Sequence, residues 1–166
     1  QAHPPLAAFE EYIRGVLAEA PATRTSFLTQ ALRIAPTFHR ARIALWAVHT
    51  EQGEHQQALG AVREVPLEDR LARQARFLAG VSMVHLGQYQ DAFNTFSELN
   101  RTRPDPAVFN NLGIVQLRRP AGAPGGRAIS YFGEALKLDG NEPDLFFNLG
   151  YAYWLAKDTP GAINWL

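Results

Sequence analysis

The sequence predicts an all-α fold, a solenoid of helical hairpins stacked in series. Three observations lead there. Alanines at Ala58, Ala92, Ala128 and Ala162 recur at intervals of 34, 36 and 34 residues. A large apolar residue (Val62, Phe96, Phe132 or Leu166) follows each of them by four positions. Between the Pro, Gly and Asp residues that punctuate the chain the apolar spacing is helical, and no stretch alternates as a strand would. A beat of this length belongs to a two-helix unit too small to bury its own apolar face, so each unit must pack on the next.

Composition agrees and narrows the function. The 166 residues are 46% hydrophobic, ample for a continuous core, and carry no net charge. A neutral chain has no long-range field for nucleic acid or an anionic bilayer, so neither is expected as a partner. The basic pairs Arg101/Arg103 and Arg118/Arg119 sit near predicted helix ends and read as solvated cations suited to the helix dipole. No apolar run reaches membrane-spanning length, and direct membrane insertion is not expected. Cysteine is absent, which removes disulfides and thiol ligands. Arginine outnumbers lysine 14 to 2 in a chain rich in Ala, Gly and Pro, pointing to a GC-rich bacterial genome. No signal-peptide pattern opens the chain. The chain stops at Ile163-Asn164-Trp165-Leu166 within an apolar helical pattern, so the sequence reads as an excised piece of a longer bacterial protein with an open apolar face at Leu166.

Taken in order, residues 1–166 read as one domain of five units. Residues 1–36 form a divergent first repeat, whose second helix closes at Ala31, Ile34 and Pro36 after a short turn at Ala20-Pro21. Residues 37–70, 71–104 and 105–140 are full repeats, and 141–166 a truncated one. The third has a first helix near Leu67–Leu86 that ends at Gly87, a residue suited to left-handed backbone. Its second helix, near Tyr89–Asn100, stops before Pro104. The fourth opens with Asp105-Pro106, a cap followed by proline in the first turn. Thr159-Pro160 repeats that device in the fifth.

Several residue types recur in phase. Phe146, Leu149, Gly150 and Tyr153 lead to Ala162 and Leu166; Phe109, Leu112 and Gly113 lead to Ala128, Phe132 and Ala135. Ala79, Gly80 and Gly87 lead to Ala92, Phe96, Leu99 and Pro104. The pattern resembles the tetratricopeptide repeat, over residues 37–166. The resemblance implies a right-handed superhelix in which Gly80, Gly113 and Gly150 sit at close helix crossings with the in-phase alanines opposite. Departures mark local change. Trp46 takes the glycine position of the second repeat, which predicts a wider or rotated hairpin. Arg42 and Arg76 stand where large apolar residues are usual. The step from Gly113 to Ala128 is 15 residues against 12 from Gly80 to Ala92, so three residues have entered the turn Arg119–Gly126.

Reactive chemistry finds little footing. Gly122–Arg127 lacks the preceding strand, the lysine and the following hydroxyl of a phosphate-binding loop. His3, His39, His49, His55 and His85 include no His-x-x-x-His pair; only His49 and His55, with Glu51 or Glu54, offer an approach across a turn. Ser26, Ser82, Ser97 and Ser130 fall on helices without a nucleophile-elbow context. The sequence therefore predicts no cofactor, no metal and no enzyme.

The resemblance implies that the first helices line a concave groove. Their groove stripes read Ile43, Ala47 and Thr50; Phe77, Val81 and Val84; Asn110, Ile114 and Leu117; and Phe147, Tyr151 and Trp154. Asn111 and Asn148 hold an asparagine position of the family, and Arg40 stands at the groove entrance. The lysines of relatives that clamp acidic C-termini are missing, so carboxylate clamping is not expected. The stripes predict a scaffold that binds an extended or helical apolar segment of a protein or peptide. Burial of the same residues between repeats, or self-assembly into a homo-oligomer, are the competing uses.

Overall fold

A computed structural model describes residues 3–165. Expectations that rest on Leu166 lie outside these described residues. The chain divides into two compact units, Gln1–Leu86 and Gly87–Leu166, and among the described residues every regular element is a helix.

The Gln1–Leu86 unit contains α1 (Leu6–Leu17), α2 (Pro21–Ile34), α3 (His39–Glu51), α4 (His55–Arg63) and α5 (Ala72–His85), each packed on the next. Pro21 starts α2 where the missing N–H needs no partner. Small residues set how closely helices approach. A Cβ on Gly15 would fall 2.7 Å from Leu28 Cγ, so α1 lies tight on α2 and the two form a complete hairpin. One core joins Ala8, Leu28, Ala31, Ala35, Phe38, Ala41, Leu45 and Val48, an alanine-rich seam that brings backbones close.

One expectation changes in this unit, and Trp46 gains a contact that its spacing does not announce. The helix expected near Leu67–Leu86 starts only at Ala72. Asp69 Oδ1 accepts the Leu71 N–H at 2.8 Å and the Asp69 carbonyl accepts the Ala72 N–H at 2.9 Å, so a local aspartate turn takes the place of the first helical turn. Trp46 reaches beyond its own hairpin. Its indole N–H reaches α5, donating to the Leu78 carbonyl at 3.1 Å and to Ser82 Oγ at 2.9 Å.

The Gly87–Leu166 unit contains α6 (Tyr89–Thr102), α7 (Pro106–Arg118), α8 (Ala128–Leu138), α9 (Pro143–Leu155) and the short α10 (Thr159–Ile163). Helix α6 buries one face, Ala92, Phe96 and Leu99, at helical spacing. Asp105 caps α7 as its sequence suggests, accepting the Ala107 N–H at 2.9 Å, with Pro106 beginning the helix. The cap of α10 is Asp158 rather than Thr159: its Oδ1 accepts the Gly161 N–H at 3.0 Å, the carboxylate outcompeting the hydroxyl.

At the α7–α8 crossing the glycine faces an aromatic ring. A Cβ on Gly113 would lie 2.5 Å from Phe132 Cε1, and Phe132 is fully buried. The expected partner, Ala128, is only half-buried because it is the first residue of α8. Helix α6 begins at Tyr89, three residues before Ala92, whereas α8 has no such turn before Ala128.

The insertion is itself a folded structure. Arg119, expected in solvent, is buried, with its guanidinium 4.2 Å from the centre of the Phe93 ring. It donates to Gln116 Oε1 at 2.6 Å, the Pro124 carbonyl at 2.7 Å and Gln90 Oε1 at 2.7 Å. Gln116 Nε2 and the Tyr131 hydroxyl donate to the carbonyls of Gly126 and Gly125. Gly125 adopts φ +114° and presses on Phe93, where a Cβ would come within 2.2 Å of the ring.

Candidate functional site

The helix α9 presents the most exposed aromatic surface of the Gly87–Leu166 unit. Pro143 in its first turn sets the helical φ, and Asp144 there suits the positive end of the helix dipole. Leu145, Leu149 and Ala152 are buried, with Leu149 and Ala152 packed against Phe132. That contact fixes the rotation of α9 and turns the other apolar stripe outward. Phe147, Tyr151 and Trp154 are 61, 42 and 59% exposed. Their rings stack in sequence: Phe147 and Tyr151 lie 6.4 Å apart at 1°, and Tyr151 and Trp154 lie 5.8 Å apart at 22°. Beside them Asn148 Nδ2 donates to Asn110 Oδ1 at 2.9 Å, tying α9 to α7 with polar groups.

Other residues of the expected groove lie differently. Ile114 and Leu117 pack against the Phe132–Leu149–Ala152 core and are half-buried. Asn111 donates to the Ala107 carbonyl of its own helix at 2.8 Å. In the Gln1–Leu86 unit Ile43, Phe77, Val81 and Val84 are half-buried, and Arg40 is exposed on the rim of a concavity with Phe9, Phe38 and Leu71.

Two polar clusters go beyond what the residue spacing suggests, although His49 and Glu54 do meet across their turn. His49 pairs with Glu54 at 2.7 Å, while His55 stacks on His85 at 4.1 Å and 12°. The two histidines that a turn could have joined therefore have different partners. Burial, aided by the neighbouring His55, pushes the His85 pKa down from 6.5. The second cluster surrounds Arg119. There burial raises the Tyr131 pKa, and the nearby guanidinium partly offsets this. Only the odd length of the Arg119–Gly126 turn hinted at this cluster. Among the described residues no group of three or more His, Asp or Glu is placed to hold a metal ion, and no helix is long and apolar enough to cross a membrane.

Known structures share this arrangement across nearly the whole chain. MamA from Desulfovibrio magneticus RS-1 (its 41-end fragment) superposes with a TM-score of 0.83 at 17% identity, over 98% of this chain and 92% of that one. PilF of Pseudomonas aeruginosa gives 0.74 at 22% identity, over 96% and 73%. YrrB, described as a TPR protein with an unusual peptide-binding site, gives 0.72 at 15% identity, over 98% and 82%. The fold is that of the tetratricopeptide repeat. At these identities the likeness speaks for the fold alone. No protein-family model and no curated protein matches the sequence. Within the tetratricopeptide fold of this chain, the α9 stripe falls on a first helix of its hairpin.

Proposed function

We propose that this chain is a protein-binding module, without catalytic activity, whose partner segment lies on Phe147, Tyr151 and Trp154 beside the Asn148–Asn110 pair. The observation that carries the reading is the stacking of three aromatic side chains that remain 61, 42 and 59% exposed. Large aromatic rings stacked in solvent are favoured anchors, each contributing about 2 kcal/mol or more when a partner desolvates it. The stripe offers no serine, histidine or carboxylate pair for chemistry. That the similarly folded YrrB is described as having a peptide-binding site supports the same use here. In the Gln1–Leu86 unit, Arg40, Ile43, Phe77, Val81 and Val84 are the corresponding candidates on first helices.

The test is a Phe147→Ser plus Trp154→Ser double variant. Both residues are largely exposed, so helicity by circular dichroism should be retained, whereas a change at Ile114 would disturb the core. The variant should lose binding of an uncharged leucine-bearing amphipathic peptide that the parent chain binds. Unchanged binding by the folded variant removes the stripe as the site. Self-assembly is the alternative occupant, read by light scattering: a dimer of the parent chain that the variant lacks assigns the stripe to homo-oligomerisation.

A further inference from the structure

The segment that carries the α9 stripe is acidic in sequence. Residues 139–165 carry Asp139, Glu142, Asp144 and Asp158 against a single cation, Lys157. Asp139 and Asp158 serve their own turns, accepting the N–H groups of Asn141 and Gly161 at 3.3 and 3.0 Å. Asp144 does not. It stands in the first turn of α9, three residues before Phe147, and among the described residues no cation is paired with it. Helix residues three and four apart share a face, so Asp144, Phe147, Tyr151 and Trp154 form one line with a carboxylate at its head. The last turn of α9 adds no basic residue.

From this complementarity we propose that the segment received by the stripe is arginine-bearing, its guanidinium groups stacked on the aromatic rings and one of them paired with Asp144. The proposal rests on the reading of the stripe as a partner-binding face. An aromatic ring draws a cation to its face, and the planar, weakly hydrated guanidinium stacks there better than an ammonium. The same chain already contains such a contact, Arg119 over Phe93 at 4.2 Å. The carboxylates that attract arginine also repel an anionic bilayer, which separates this use from membrane docking.

Three alanine-based peptides of equal length test it by isothermal titration calorimetry at low ionic strength. One carries arginines at helical i, i+4 and i+7 positions, one carries citrulline there, and one carries leucine. The arginine peptide should bind about tenfold more tightly than the citrulline peptide, which keeps the shape and loses the charge. Its affinity should fall in Asp144→Asn and in Tyr151→Ala, and weaken with added salt. Equal affinity for arginine and citrulline peptides, or Tyr151-dependent binding of the leucine peptide alone, overturns the arginine assignment and leaves the binding face standing. Failure of all three peptides to bind overturns both.

Discussion

Trp46 donates its indole N–H at 2.9 Å to the hydroxyl of Ser82, a residue only 1% exposed, and so joins α3 to α5. The bond gives Trp46 a role that its place in the repeat pattern does not suggest. Trp46→Phe keeps an aromatic ring but removes the indole donor from the Ser82 hydroxyl and the Leu78 carbonyl, at an expected cost of about 1–3 kcal/mol. Trp46→Ala also opens a cavity and should cost about 3–5 kcal/mol. Urea denaturation of both variants measures this, and equal loss in the two would mean that the hydrogen bonds contribute and the ring does not.

Arg119 offers a second expectation. Its guanidinium is buried against Phe93 and satisfied by neutral acceptors, with no carboxylate among the partners named above. Arg119→Ala should destabilise the Gly87–Leu166 unit by about 2–4 kcal/mol and speed amide exchange in the Pro120–Gly126 turn. Arg119→Lys should recover little, since an ammonium cannot reproduce the forked contacts. Full recovery by lysine would show that charge alone matters there.

Burial of His85, with His55 stacked on it, should make stability depend on pH. Because the folded chain holds the His85 pKa below 6.5, the unfolded chain takes up the proton more readily. The stability is therefore intact above about pH 6.5 and declines as the pH falls below it. Thermal melts from pH 7.5 to 5 should show a slope that His85→Gln flattens. An unaltered slope in that variant would place the titration elsewhere.

Two alanines of equal rank in the repeat pattern should respond unequally. Ala92 is fully buried, and Ala92→Leu should overpack its surroundings at a cost of about 1–3 kcal/mol. Ala128, half-buried at the start of α8, should accept leucine with a change within about 0.5 kcal/mol. Matched denaturation curves for the pair test whether the inserted turn has relieved that position.

Much of the local structure was legible in the residues. The Ala92–Phe96–Leu99 face, the Asp105 cap and the left-handed Gly87, at φ +72°, all follow from residue chemistry within a few positions. The candidate site was legible only in part. Helices apolar on most faces have no unique inward direction from spacing alone. Ile114 and Phe147 therefore read alike, although one packs on the Phe132 core and the other stands in solvent. Arg119 reads as a solvated cation because nothing near it in sequence announces Phe93 or Gln90.

The sequence by itself determined the repeat length, the helical character and most helix ends, since these follow from short-range chemistry: apolar period, caps and breakers. Tertiary structure decided which apolar residues reach solvent, which turn folds around a buried arginine, and which histidines meet. Those outcomes depend on how one helix is rotated against its neighbour. That rotation is set by contacts such as Phe132 on Gly113, between residues distant in sequence, and not by any local period.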